Sequence, residues 1–283
     1  MNRRIRLWSS ISVAALIGAG ALGGCDDGGA PEESAAPDNA ADTAQSQDSA
    51  QQKQAAAPAA GVEGEGQVAP ADPATDDVAY LTQLGLMRGH LLVGVELFRA
   101  EALDQSATHM KHPENELYAK MKPAFQARGA DGFADQLAAL AMAVESGASA
   151  KKVESAYREL LAAIDAAEGH VAQADPAVKL KVAVNLVRTA GIEYGIGVKK
   201  GEIVNLHEYQ DAYGFTQTAK MIVNGIDTSG NADLAAAVKD VKVQLAGLDG
   251  AWPGITEPGR VETDAAQIHG AAARMEIAAL SVE

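Results

Sequence analysis

Apolar residues beyond residue 75 recur at every third or fourth position, which is the period of an α-helix. Leu234, Val238, Val241 and Leu245, for example, line one face of a single predicted helix. No window alternates apolar and polar residues over a length typical of a β-strand. The pattern therefore predicts an all-α domain over residues 75–283, a helical bundle of about seven to eight helices.

The first predicted helix, at about residues 75–101, is apolar on nearly all sides over most of its length. A helix of that kind belongs in the centre of a bundle. Its few polar residues include Arg88, His90 and Glu96, which point in three directions. Because a buried charge is costly unless it is paired, we expect partners for them on neighbouring helices.

The predicted helix at residues 176–197 has an apolar run that Arg188 and Glu193 interrupt in the same way. We expect these two residues to be partners of His90 and Glu96. The candidate buried polar network comprises four residues of the two apolar helices: Arg88, Arg188, Glu193 and Tyr194. Two interpretations remain open, a ligand-binding site and a set of internal ion pairs that only fixes helix register.

Capping residues locate several helix starts. Asp175, which precedes a proline, and Asn205, with a glutamate three residues later, are typical N-caps. His207 follows Asn205 closely, and we expect it to be exposed. Pro113 predicts another start and should hold His112 out of helical geometry, so the preceding segment is predicted as a loop with at most a short helix.

The N-terminal quarter of the chain has a different composition. Residues 1–24 have three arginines among the first six residues and continue into a short apolar stretch, a pattern typical of a signal peptide. The Leu-Gly-Gly-Cys sequence at residues 22–25 resembles the lipobox of bacterial lipoproteins, which implies that Cys25 is acylated and becomes the mature N-terminus. Residues 25–74 are then a lipid anchor and an acidic linker rich in Ala, Gln, Ser and Pro, which we expect to be disordered.

The lipobox implies a location on the periplasmic side of a bacterial membrane. Asp26 resembles the residue that retains lipoproteins on the inner membrane, so the inner membrane is favoured. The formal net charge of −15 makes nucleic acid a poor partner. None of the common nucleotide, hydrolase or metalloprotease motifs is present in the sequence, which argues against an enzyme.

The densest polar segment runs from His109 to Glu116 and holds two imidazoles and two carboxylates. Such groups are ligands for iron, copper or zinc. Together with the polar residues of the first helix they form the candidate metal ligands: His90, Glu96, His109, His112, Glu114 and Glu116. The alternative interpretation is a solvated segment whose acidic residues favour a helix start.

Residues 193–215 resemble a segment of the helical extracytoplasmic domains associated with the high-affinity iron permease family. In that family a Glu-Tyr helix end is followed by a Gly-x-Val-x-x-x-x-Glu-Tyr turn into the next helix. The matching positions here are Glu193, Tyr194, Gly201, Ile203, Glu208 and Tyr209. The resemblance implies a role near iron uptake, with a metal-transport membrane protein as partner.

Two departures limit what the resemblance carries over. The permease's own Arg-Glu-x-x-Glu motif is absent, since Arg158 and Glu159 are followed by Leu160, Leu161 and Ala162. Imelysin-like iron-uptake lipoproteins have a Gly-x-His-x-x-Glu motif, but here Gly89 and His90 are adjacent and Val93 occupies the glutamate position. The leading hypothesis is a lipid-anchored, non-catalytic metal-binding component of iron uptake, and the alternative is a structural or protein-interaction lipoprotein.

Overall fold

The computed structural model describes residues 71–171, 175–256 and 258–282. The predicted signal peptide, Cys25 and all but the end of the predicted linker lie outside the described residues. So do the side chains of His112 and Glu116. None of the helices in the described ranges combines the length and the apolar character that a membrane crossing requires.

The described residues form nine α-helices, which confirms the all-α prediction and exceeds its helix number slightly. The helices are α1 (Asp77–Arg99), α2 (Leu103–His112), α3 (Ala119–Arg128), α4 (Ala134–Glu145), α5 (Ala150–Glu168), α6 (Pro176–Gly197), α7 (Leu206–Asn224), α8 (Ala232–Ala246) and α9 (Ala265–Leu280). A π-helical turn (Pro113–Tyr118) joins α2 to α3, and a short 3-10 helix (Asp249–Ala251) follows α8. Two-residue strands β1 (Val198–Lys199) and β2 (Glu202–Ile203) pair in antiparallel fashion between α6 and α7.

Helix α1 lies between two hydrophobic cores, as its apolar circumference predicts. Leu84, Met87 and Leu91 belong to a core with α3, α4 and α5, which we call the N-terminal core. Leu86 belongs to a second core with α6, α7, α8 and α9, the C-terminal core. Because α1 is packed on both sides, His90 in its middle is held in a fixed position inside the bundle.

The turn between α6 and α7 has a local cause in the sequence. Gly201 has a φ angle of +79°, a conformation that other residues adopt only with strain. A Cβ atom there would also lie 2.6 Å from the backbone oxygen of Val261. The glycine therefore closes the β1–β2 hairpin and sets where α7 begins.

The predicted N-caps at this end of the molecule are confirmed. The Asp175 side chain accepts a hydrogen bond from the backbone of Ala177, and that of Asn205 accepts one from His207. The prediction for Pro113 was wrong, because His112 is the last residue of α2 and helical geometry continues through the proline. Pro113 has φ −58° and ψ −37°, angles that its ring permits in a helix.

Candidate metal centre

Helices α1 and α7 cross at two glycines, which allows their backbones to come unusually close. A Cβ atom on Gly214 would collide with the backbone of Gly89 and lie 2.7 Å from a methyl carbon of Val93. A Cβ atom on Gly89 would lie 2.5 Å from the ring of Phe215. This crossing brings His90 of α1 against the first turns of α7.

A second close contact joins α1 to α2. The Ser106 hydroxyl donates a 2.7 Å hydrogen bond to the backbone oxygen of Gly94. A Cβ atom on Gly94 would lie 2.7 Å from the methyl carbon of Met110. Since α2 lies so close to α1, His109 points into the bundle interior, where its side chain is fully buried.

Three imidazoles from three helices meet at the carboxylate of Asp211 in α7. Oδ1 of Asp211 lies 2.6 Å from Nδ1 of His90 and 3.1 Å from Nδ1 of His109. Oδ2 lies 3.1 Å from Nδ1 of His207, which is one turn earlier in α7. The rings of His109 and His207 are stacked, with centroids 4.2 Å apart and planes 6° from parallel.

The tautomer of His109 is fixed by Gln210. Nε2 of Gln210 donates to Oε1 of Gln105 at 2.6 Å and to the backbone oxygen of Ile255 at 2.7 Å. Oε1 of Gln210 therefore faces Nε2 of His109, at 2.9 Å, and that nitrogen is the donor. A neutral His109 then presents the lone pair of Nδ1 towards the carboxylate of Asp211.

Burial and charge favour the forms of these groups that bind metal. Burial lowers the pKa of His109, although the carboxylate of Asp211 opposes this effect. Burial also disfavours ionisation of Asp211, but the three imidazoles outweigh it and hold the pKa of Asp211 well below its usual range. A neutral imidazole and an ionised carboxylate are the protonation states that coordinate a cation.

The distances fit a small cation with modest adjustment. A metal ion with bonds of about 2.1 Å to nitrogen and oxygen holds its ligand atoms roughly 3 to 3.5 Å apart. The separation of 3.1 Å between Nδ1 of His109 and Oδ1 of Asp211 is within that range. Nδ1 of His90, at 2.6 Å from the same oxygen, must move away slightly. Nδ1 of His109 is buried and makes no hydrogen bond of good geometry within the described ranges, so a cation would provide its partner.

Comparison with known proteins gives a partial family match. Residues 171–279 match the model of the iron permease-associated 4-helix bundle domain. The match covers less than half of the chain and confirms the resemblance that residues 193–215 indicated. No curated protein and no solved structure matches the chain at a significant level.

The matched segment, which we call the iron permease-associated segment, contains α6, α7, α8 and all but the last residue of α9. These are four consecutive helices, in agreement with a 4-helix bundle. His207 and Asp211 lie within the segment, whereas His90 and His109 lie before it. The cluster therefore joins the iron permease-associated segment to the helices that precede it.

The structure brings two of the six candidate metal ligands into this cluster, His90 and His109. Glu96 is half-buried, and burial together with the neighbouring Glu96 carboxylate raises the pKa of Tyr213. Glu114 is exposed. Neither glutamate belongs to a metal-ligand group among the residues with described side chains.

The candidate buried polar network is divided, because Arg88, Arg188 and Tyr194 contact different parts of the bundle. Arg88 forms ion pairs with Asp165 and Glu168 of α5. Arg188 is exposed, not buried, and pairs with Glu276 of α9. The remaining two members lie at the end of α6: Glu193 is half-buried, and the Tyr194 hydroxyl donates to the backbone oxygens of Ala251, after α8, and of Thr263, just before α9. The expected partner of His90 was also wrong, since Asp211 takes that place.

Sequence reasoning missed Asp211 and misplaced His207, whose side chain is only 20% exposed. A usable signal was present. His207 and Asp211 are four residues apart and so share a face of α7, and the residues around Asp211 are mostly apolar or aromatic. A carboxylate in such a setting needs a buried partner, as does His90 in its apolar helix.

Proposed function

We propose that this chain is a non-catalytic accessory of iron uptake that binds a divalent metal cation at the cluster around Asp211. One observation carries the proposal: His90, His109 and Asp211 converge in the interior, with ligand atoms within 4.8 Å of one another. Buried imidazoles and a buried carboxylate are costly to assemble without a partner charge. A cation between them supplies that charge.

The ligand atoms narrow the choice of metal. Two imidazoles and one carboxylate form the set that non-haem iron(II) sites use, and zinc and copper also accept it. Magnesium and calcium prefer oxygen ligands and are disfavoured here. The match of residues 171–279 to an iron permease-associated domain favours iron as the physiological cation and an iron permease as the partner.

Gln210 supports the same proposal from outside the ligand set. It holds the His109 ring so that Nδ1 faces Asp211, through the 2.9 Å hydrogen bond to Nε2. Partners of this kind orient ligand imidazoles in metal sites and raise their affinity.

The binding test is calorimetric titration of the mature chain with Fe²⁺ under anaerobic conditions, and with Zn²⁺ and Cu²⁺. We expect a dissociation constant on the order of micromolar or tighter. Asp211→Asn should weaken binding by more than about tenfold. Asp240→Asn, which changes an exposed aspartate of α8, is the matched control and should bind as the wild type does. A wild-type constant weaker than about 1 mM, near −4 kcal/mol, would reject the proposal.

A second possible function follows from one distance. Nδ1 of His90 and Oδ1 of Asp211 are 2.6 Å apart, as in a direct imidazole–carboxylate hydrogen bond. If that bond is permanent, the cluster is a structural ion-pair network and the chain is a protein-interaction lipoprotein. Asp211→Asn would then lower stability, and none of the three metals would raise the melting temperature of the wild type.

The lipid anchor is a separate part of the proposal and rests on the Leu-Gly-Gly-Cys sequence that ends at Cys25. With the anchor, the domain sits on the periplasmic side of the membrane, where a permease partner is reachable. Cys25→Ser should abolish acylation and release the protein from the membrane fraction. Recovery of acylated protein in the membrane fraction of the variant would contradict the assignment.

A further inference from the structure

The two oxygens of Asp211 face different imidazoles. Oδ1 lies near His90 and His109, whereas Oδ2 lies 3.1 Å from Nδ1 of His207. A carboxylate that presents its oxygens in two directions can serve cations on either side of it. The cluster therefore has two distinct places for a cation rather than one.

Each place has its own set of ligand atoms. The inner position consists of His90, His109 and Asp211, and the outer position consists of His207, Glu208 and Asp211. Within each set, the ligand atoms lie within 4.8 Å of one another. Among the residues with described side chains, no such set contains both His90 and His207.

The two positions differ in their access to solvent. All three residues of the inner position are buried, with His109 fully so. His207 and Glu208 of the outer position are half-buried. A cation from solvent therefore reaches the outer position first, and the Asp211 carboxylate is the ligand that it keeps when it moves inward.

Charge argues for one cation at a time. Asp211 and Glu208 are the only carboxylates of the two sets, and together they match the charge of a single divalent ion. A second cation would leave uncompensated positive charge in a largely buried place, which is costly. The outer position is also at the start of α7, where the positive end of the helix dipole weakens cation binding. The outer position is suited to passage and the inner one to retention.

We propose that one divalent cation occupies these positions in succession, the outer one at His207, Glu208 and Asp211 and then the inner one at His90, His109 and Asp211. The inference rests on the proposed metal-binding function and adds a route to it. It predicts that Glu208 governs how fast the cation enters and leaves, more than how tightly it is finally held.

The test uses Co²⁺ as the probe, because its visible absorption reports coordination. Loading of the mature chain is followed by stopped flow, removal is followed after addition of EDTA, and the dissociation constant and stoichiometry are measured separately. Glu208→Gln should slow both loading and removal by about tenfold or more, since it removes a charged ligand from the position through which the ion passes in either direction. The dissociation constant should change by a smaller factor, because both rates fall together.

Two further variants make the result specific. Glu159→Gln, at an exposed glutamate of α5, is the matched control and should leave both rates unchanged. His109→Gln removes an inner ligand and should leave only rapid, weak binding at the outer position. Circular dichroism of each variant verifies that the helices are intact.

The outcomes separate the inference from the function on which it rests. One Co²⁺ per chain with loading rates equal in the wild type and Glu208→Gln overturns the two-position route and leaves metal binding standing. Two Co²⁺ per chain also overturns it, as does a Glu208→Gln effect confined to the dissociation constant. A wild type that binds no Co²⁺, Fe²⁺, Zn²⁺ or Cu²⁺ overturns both.

Discussion

The N-terminal helices α1–α5 and the C-terminal helices α6–α9 fill their cores with different proportions of large and small side chains. The N-terminal core contains large residues, among them a cluster of aromatic rings from Tyr118, Phe125 and Phe133 with centroids 5.0 to 5.4 Å apart. The C-terminal core is richer in alanine and valine, and it has an aromatic cluster of its own, formed by Tyr194, Tyr209 and Trp252. The polar cluster lies in neither core but at the contact between the two groups of helices.

The division of the ligands between the two groups of helices explains why a family match alone does not reveal the inner cation position. The iron permease-associated segment carries His207, Glu208 and Asp211, which is the complete outer position. The two inner imidazoles, His90 and His109, come from the N-terminal helices. Residues 171–279 without α1 and α2 would keep Asp211 and the other outer ligands and lack the two inner imidazoles.

A substitution at the closest point of contact between the two groups of helices, the crossing of α1 and α7, should cause the largest loss of stability. Gly214→Ala places a methyl group against the backbone of Gly89, which cannot yield without separating α1 from α7. We expect a loss of about 2 kcal/mol of stability, which lowers the melting temperature by about 5 °C.

The matched control for this variant is Gly195→Ala in α6, where the added carbon would lie 3.4 Å from Cβ of Ala265, an ordinary contact. Alanine there should be neutral or stabilise the helix by up to about 1 kcal/mol. Thermal unfolding of both variants measures the difference. Equal melting temperatures would show that the α1–α7 crossing is not tightly packed.

The sequence predicted the helices well because their signals are local. The apolar period of α1, the proline after Asp175 and the cap at Asn205 each act within a few residues. The candidate site was predicted only in part. His90 is conspicuous in its apolar helix and His109 in a polar segment. Their common partner Asp211 is over a hundred residues away in sequence, and it is the contacts of α1 with α7 and with α2 that bring the three together.

The contribution of Gln210 tests whether the contact between the two groups of helices is a binding site or only packing. Gln210→Leu removes the acceptor that holds His109, so the imidazole loses its fixed orientation. We expect metal affinity to fall by about tenfold to a hundredfold. The measurement is the Fe²⁺ titration described above.

The control for Gln210→Leu is Gln267→Leu, at an exposed position of α9, which should bind metal as the wild type does. If both variants keep the wild-type affinity, His109 does not need Gln210 as a ligand-orienting partner. The contact between the two groups of helices would then be explained by packing alone.

A smaller loss of stability is expected for a substitution inside the N-terminal group of helices. The hydroxyl of Tyr118 accepts hydrogen bonds from the backbone of Phe133 at 3.0 Å and of Ala134 at 3.1 Å, at the start of α4. Tyr118→Phe keeps the ring in the aromatic cluster and removes this acceptor. We expect a loss of about 1 kcal/mol, measured by urea unfolding.

Hydrogen exchange localises the effect of Tyr118→Phe, since the amides at the start of α4 should exchange faster. Metal affinity should not change, because Tyr118 belongs to the N-terminal core and not to the cluster around Asp211. A large change in affinity would mean that the two groups of helices are coupled more strongly than their separate cores suggest.

The smallest effect is expected at the surface, where Arg99 of α1 makes two hydrogen bonds of 2.7 and 2.9 Å to Glu154 of α5. Both side chains are substantially exposed, so Arg99→Gln should cost about 0.5 kcal/mol and less at high salt. The hydrogen bond from Arg99 lowers the pKa of Glu154 from its ordinary value of 4.5. A carboxylate with a lowered pKa stabilises the fold above its unfolded pKa, and this contribution disappears as the pH falls through the folded pKa. The difference between wild type and variant in the free energy of unfolding by urea should therefore be constant at neutral pH and shrink below about pH 4.5.

Arg88→Gln is the comparison, because Arg88 is more buried and bonds to both Asp165 and Glu168, so its loss should lower the stability more. Equal costs for the two arginines would show that burial does not strengthen the contacts between α1 and α5.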